Sequence, residues 1–279
     1  MVELGLGKNM VRSAKFWAQA CGVVSLSRST AALTPFGMAV LGDGQCDMFL
    51  EDVRTLWLLH WNLSTGIASP LLAWDYLVCR WQEPEFVSSA AAAKMLAEVS
   101  PKEGAMSAVT VQQHLDVFLR TYLPSRATKT IVVEDNLDCP LAELRFLTRA
   151  GERELSAAAG GRETIYRFRV EDKPEISGAL FTYCLGDYWG RYFPDERTLS
   201  LSELAYGRGS PGRVFRLPET DLRRRLEAIE VQSRGRYSYF ESAQLQQVRR
   251  TEGTHADTTE LGQVYEVEGT DAGATRPSR

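Results

Sequence analysis

The chain has 279 residues, of which 44% are hydrophobic, with 32 basic and 36 acidic side chains giving a net charge of −4. That length accommodates two or three domains of about 100 residues each, and no apolar run approaches the ~20 residues that a membrane-spanning helix needs. The first ten residues lack the basic start and apolar stretch of a secretory signal, and the five scattered cysteines contain no Cys-x-x-Cys pair, which argues against a zinc ribbon, a redox motif or an iron–sulfur cluster and for a reduced, cytoplasmic setting.

Residues 9–24 read as a helix, because Met10, Ala14, Trp17, Ala18 and Cys21 recur at three- and four-residue spacings. Asn9 is the expected N-cap behind Gly5-Leu6-Gly7, and Lys8, Arg12 and Lys15 crowd the helix start. Residues 23–26 and 32–41 then read as two strands around a polar turn containing Arg28, with Pro35 leaving a strand edge unpaired and Gly37 turning the chain. A helix followed by two short strands is the helix-and-wing arrangement. Residues 47–61 form a further helix, apolar on most faces and so buried between units. A partial winged-helix module with its linking helix is therefore expected over 1–66.

A second module spans 67–172. It has helices over 70–81, from Ser88/Ser89 to 99, and over 107–122, where Val111, Leu115, Phe118, Leu119 and Tyr122 form one stripe. A hairpin of 144–148 and 164–170 follows, with 124–143 as an acidic insertion. The third module, 173–250, repeats this order with helices over 176–193, 200–206 and 218–229 and a hairpin of 235–240 and 244–249. Residues 251–279 carry six acids and two arginines, show no periodicity and read as a disordered acidic tail. The fold class expected is mainly α with small β-hairpins (α+β), built as tandem winged-helix modules.

Without the tail the charge is balanced, but not evenly. Residues 1–40 carry an excess of +3 and residues 208–250 an excess of +5. Local positive patches, not net charge, decide phosphate contact. Lys8, Asn9, Arg12, Lys15 and Arg28 at one place, and Arg208, Arg213 and Arg216 at another, are the residues expected to hold double-stranded DNA. The second group lies in the glycine-rich stretch Gly207–Arg216, where backbone N–H groups can approach an anion and arginines can clamp phosphate.

Several stretches together carry a family resemblance: Leu4-Gly5-Leu6-Gly7-Lys8-Asn9-Met10-Val11, Phe49-Leu50-Glu51-Asp52 with Thr55-Leu56-Trp57-Leu58-Leu59-His60-Trp61, Glu134-Asp135-Asn136-Leu137-Asp138-Cys139-Pro140-Leu141, and Gly209-Ser210-Pro211-Gly212-Arg213-Val214-Phe215. Across residues 4–250 the chain is similar to an uncharacterised-domain family of bacterial proteins. That family includes the DNA-nicking component of Ssp-type DNA phosphorothioation systems, which defend against phage. The resemblance implies DNA nicking that allows sulfur to enter the backbone, and partners within the system: a cysteine desulfurase, an ATPase and a sulfur-transfer enzyme. Family members carry further helices before the Leu-Gly-x-Gly-Lys-Asn stretch, where this chain has only Met1-Val2-Glu3.

Hydrolytic nicking calls for a metal and an activated water. Asp135 and Asp138, three residues apart, could share one Mg²⁺, with Glu134 or Glu143 completing its shell. The competing reading makes Asp138 the N-cap of a helix with Pro140 near its first position. No Walker A spacing occurs. Asp187 is expected to pair with Arg191 four residues on, and His60, His114 and His255 form no catalytic triad order. Two functions fit: a Mg²⁺-dependent DNA nickase, or a non-catalytic DNA-binding adaptor that presents DNA to partner enzymes. A transcriptional regulator is weaker, with no effector pocket or dimer helix evident.

Overall fold

The computed structural model describes residues 5, 7–27, 30–66, 71–99, 106–124, 139–154, 160–242, 244–251 and 258–266. The first unit opens with helix α1 (Lys8–Ala20), the hairpin β1 (Val24–Leu26) and β2 (Ala31–Leu33), and helix α2 (Pro35–Leu41). Residues 35–41 are thus helical and not the second wing strand. Thr34 ends the strand and caps the helix, its hydroxyl accepting the Gly37 N–H at 2.9 Å, and Pro35 takes a first-turn position where its missing N–H is no loss. Gly37 is there for closeness, since a Cβ would lie 2.1 Å from the Val23 carbonyl oxygen. Asn9 is likewise not a cap: Gly7 holds that position without a side-chain bond, and Asn9 lies inside α1.

Helix α3 (Val53–Thr65) begins later than 47 because Asp47 organises a loop before it. The Asp47 carboxylate accepts the Glu51 and Asp52 N–H groups at 2.9 and 3.1 Å, and Asp52 then caps α3 by accepting the Arg54 N–H at 2.8 Å. From Thr55 to Trp61 every residue is buried. A helix without a polar stripe has to be enclosed on all sides, and α3 is the axis against which the later units pack.

Two units with one connectivity follow. The first has α4 (Leu72–Leu77), β3 (Glu85–Val87), α5 (Ser88–Val99), α6 (Ala108–Tyr122), a 3-10 helix (Pro140–Leu144) and the hairpin β4 (Leu147–Glu154) and β5 (Arg162–Phe168). Its antiparallel sheet runs β3-β5-β4. The second has α7 (Gly178–Tyr192), β6 (Thr198–Ser200), α8 (Leu201–Tyr206), α9 (Pro211–Val214), α10 (Glu219–Glu227), α11 (Ile229–Gln232) and the hairpin β7 (Tyr237–Glu241) and β8 (Gln246–Arg250), with sheet order β6-β8-β7. In each, a three-residue strand ahead of the second helix pairs with the last strand of the hairpin. Those two short strands escaped sequence reading, since three residues cannot display an alternation. The chain is mainly helical with small antiparallel sheets, and one apolar core runs through all the units.

Residues 258–266 correct the expectation of disorder for that part of the tail. Helix α12 (Thr258–Val264) buries Leu261 and Val264 to 1% exposure against α2 and α7. Arg54 donates to the Val264 carbonyl at 2.9 Å, the Tyr265 and Thr55 hydroxyls meet at 2.8 Å, and Glu260 pairs with Arg236. Averaged composition hid two apolar residues three apart, which is enough for one docked turn.

Candidate nucleic-acid interface

On α1 the spacing of Lys8, Arg12 and Lys15 places all three on one side of the helix. All three are exposed, the helix contains no acidic residue, and none of them forms an ion pair among the described residues. Asn9 is exposed beside them. The helix is anchored by its C-terminal half, where Trp17 meets Trp74 edge to face at 5.9 Å. Its first turns therefore stand clear of the body with their cations outward. Arg28 lies outside the described residues.

The second expected site is built differently. Ser210 caps α9 by accepting the Arg213 N–H at 3.3 Å, with Pro211 behind it. A Cβ on Gly212 would lie 2.7–2.8 Å from backbone atoms of Leu204 and Ala205, so this glycine serves a tight crossing of α9 over α8 and not the approach of an anion. Arg208 grips Asp75 with Nε at 3.0 Å and Nη2 at 2.7 Å. Arg213, half-buried, donates to the Trp81 carbonyl at 3.2 Å, and its burial lowers its pKa. Arg216 corrects the expectation most sharply. It is 6% exposed, donates to the Leu77 carbonyl at 2.6 Å and sits 4.1 Å from the centre of the Phe168 ring. Burial lowers its pKa to about 9.

Most of the remaining arginines are paired as well, although Arg224 and Arg234 keep more than half of their side chains exposed and Arg249 is exposed. Arg223 pairs with Glu219 and Glu241, Arg224 with Asp172 and Asp221, and Arg225 with Asp221 while donating to the Ile176 and Lys173 carbonyls. Arg234 pairs with Glu266 and Arg250 donates to the Pro194 carbonyl. The expected Asp187–Arg191 pair forms at 2.7 Å, and Asp187 also accepts the Trp61 indole N–H.

Two buried titratable groups lie where the units meet. Lys173, at 0% exposure, donates to the carbonyls of Arg169, Glu171 and Arg216, and burial lowers its pKa to about 8. His60 lies between the Val214 carbonyl at 3.0 Å and the Tyr122 hydroxyl at 2.6 Å. A carbonyl can only accept, so Nε2 carries the proton and Nδ1 accepts from Tyr122, whose oxygen takes the Trp74 indole N–H at 2.8 Å. Burial, then the nearby Lys173 and Arg216 cations, lower its pKa to about 4. Its hydrogen bonds are all used within the core, so it is structural.

Glu134, Asp135 and Asp138 lie outside the described residues, and Glu143 is exposed on the 3-10 helix. Among the described residues no three His, Cys, Asp or Glu side chains come together to hold a metal ion.

Sequence reading missed a groove beside α1. A cavity of about 220 Å³ lies between Phe16 and Trp17 of α1, Trp74 of α4, and Gln113, His114 and Val117 of α6. It shares Trp17 and Val117 with a larger, strongly apolar cavity of about 390 Å³ that reaches Cys21, Leu63, Arg120 and Leu141. The adjacent aromatics Phe16-Trp17 inside a cationic helix were the one local signal. The opposite wall comes from residues about a hundred positions away and has no local signature.

The family model described as "Protein of unknown function (DUF4007)" matches residues 1–265. Two solved structures share the fold over 95% of this chain and 76% of theirs: a magnesium ion-bound crystal structure of SspB, with a TM-score of 0.74 and 23% identity, and a crystal structure of SspB, with 0.74 and 22%. The comparison with curated proteins gave no match. Among the described residues no helix is long and apolar enough to cross a membrane.

Proposed function

The chain belongs to the DUF4007 family, and from that premise we propose that it is a DNA-binding protein of bacterial phosphorothioation-based antiphage defence that grips duplex DNA through α1. The observation that carries this reading is the stripe of Lys8, Arg12 and Lys15, exposed and without ion-pair partners among the described residues. The repeated scheme of a helix, a short strand, further helices and a hairpin, with the short strand paired to the hairpin's last strand, supports tandem winged-helix modules over 67–172 and 173–250 and a partial one over 1–66. The similarity of fold to SspB supports the phosphorothioation setting. In the test, Lys8→Ala/Arg12→Ala/Lys15→Ala should weaken duplex binding on the order of 100-fold near physiological salt and flatten the slope of log K against log salt by about 3, since each lost phosphate contact releases fewer counterions. Unchanged affinity and slope would refute α1 as the contact.

The magnesium ion bound in the similar structure favours a second step, in which this protein nicks the DNA it holds so that sulfur can be incorporated. Asp135 and Asp138, with Glu134, remain the residues proposed for it. Purified protein should convert supercoiled plasmid to open circles with Mg²⁺ and not with EDTA, and Asp135→Asn/Asp138→Asn should abolish this. Plasmid that stays supercoiled with Mg²⁺ would make the protein an adaptor presenting DNA to a cysteine desulfurase, an ATPase or a sulfur-transfer enzyme.

A further inference from the structure

We propose that the groove between α1 and α6 receives an unstacked nucleobase from a DNA strand whose phosphates follow the Lys8, Arg12 and Lys15 stripe, an inference that rests on the DNA-binding reading above. Phe16 follows Arg12 by four residues, so ring and guanidinium occupy one side of α1. The Phe16 ring is held edge to face against Trp17, with centroids 5.3 Å apart and planes at 82°, and Trp17 is braced on Trp74. Phe16 nonetheless remains 48% exposed, so a large apolar surface is held in place with solvent on one side.

The facing wall supplies what a base edge requires. Gln113 and His114 line the groove, and neither side chain makes a hydrogen bond among the described residues, whereas the neighbouring Gln112 side chain is committed to Asp116 at 2.9 Å. An amide offers donors and an acceptor, and a neutral imidazole one of each. Aromatic faces for the ring, free polar groups for its edge and cations for its phosphates are the combination with which proteins hold bases outside a helix. Arg120, exposed at the mouth of the adjoining cavity, adds a cation on the α6 side. Charge selects this occupant over an apolar peptide, because Arg12 stands one turn before the groove-lining Phe16 on α1 and Arg120 three residues beyond the groove-lining Val117 on α6.

The test uses the full chain and three duplexes of equal length: fully paired, with one unpaired 2-aminopurine, and with an abasic bulge. The unpaired base should be bound about tenfold more tightly than the paired duplex, the range expected for one base stacked on an aromatic ring, and its fluorescence should be quenched on binding. The abasic bulge should lose the gain, and Phe16→Ala and Gln113→Ala should cut it to within twofold at an unchanged Tm. Equal affinity for paired and bulged duplexes would overturn this inference and leave the DNA-binding reading intact, while failure to bind any of the three would overturn both. An abasic bulge bound as tightly as the unpaired base, a preference that survives Phe16→Ala, or a dimer in sedimentation that Phe16→Ala dissolves would each assign the groove another role.

Discussion

Two regions of this chain are rich in basic side chains and use them in opposite directions. The N-terminal helix α1 points Lys8, Arg12 and Lys15 at solvent with no carboxylate on the same helix. Residues 208–250 contain ten arginines and no lysine, and most of these are turned to internal use. Six of them form ion pairs, and Arg213, Arg216 and Arg250 donate to backbone carbonyls. A guanidinium carries five N–H donors in a planar fork and so can tie together carbonyls from separate loops, which a lysine point charge does less well. The region with the larger charge excess therefore commits most of its arginines to carboxylates and carbonyls, and the smaller one leaves its cations unpaired among the described residues. Competition from nearby carboxylates and carbonyls separates the two cases, and a count of charges does not register it.

The largest expected effect comes from removing the carboxylate that keeps Arg236 turned inward. Truncation after residue 251 deletes α12 and with it Glu260, Leu261, Val264 and Tyr265. Burying Leu261 and Val264 is worth about 2 kcal/mol each, and the Tyr265–Thr55 hydrogen bond about 1 kcal/mol. A loss near 5 kcal/mol in urea denaturation is expected. The freed Arg236 should not substitute for α1: in the truncated protein, the three α1 alanines should still weaken duplex binding. An unchanged urea midpoint would mean that α12 does not dock.

The next effect tests the contrast directly. Arg216→Ala removes a side chain that fills the core beside Phe168 and leaves the Leu77 carbonyl without its donor, a change of about 3 kcal/mol. DNA affinity of the folded variant should stay within twofold of the parent by fluorescence anisotropy. If Arg216→Ala instead lowers affinity as far as the α1 alanines do, the division into outward and inward cations is broken.

What could be read from the sequence was what local chemistry decides. The helices expected over 107–122, 176–193 and 200–206 are present to within two residues at each end, and Ser107, Ser177 and Ser200 begin them by accepting backbone N–H groups three residues on. Thr34-Pro35 was read through as part of one strand, because proline suits a strand edge as well as a helix start. Arg216 was misjudged for another reason: the Leu77 carbonyl to which it donates lies more than 130 residues earlier, as does Asp75, the partner of the exposed Arg208. The α1–α6 groove was invisible on the same ground.

The smallest effect probes the buried positive charge through His60. Its pKa in the fold is about 4, against an ordinary 6.5, because burial and then the Lys173 and Arg216 cations disfavour the imidazolium. A histidine with a depressed pKa contributes its full stability above pH 6.5 and loses it as the pH falls towards 4, because the unfolded chain takes up the proton first. The full difference is on the order of 3 kcal/mol, of which about 2 kcal/mol is lost between pH 7 and pH 5. His60→Gln has no such proton to bind, so its urea midpoint should fall by correspondingly less over that interval. Arg216→Ala tests the electrostatic part separately: with one cation gone the imidazolium is less disfavoured, the pKa of His60 should rise, and the acid loss should shrink while His60 itself is intact. An acid loss identical in the parent and in Arg216→Ala would show that desolvation and Lys173 set the His60 pKa, and that the inward arginine is electrically silent at the core.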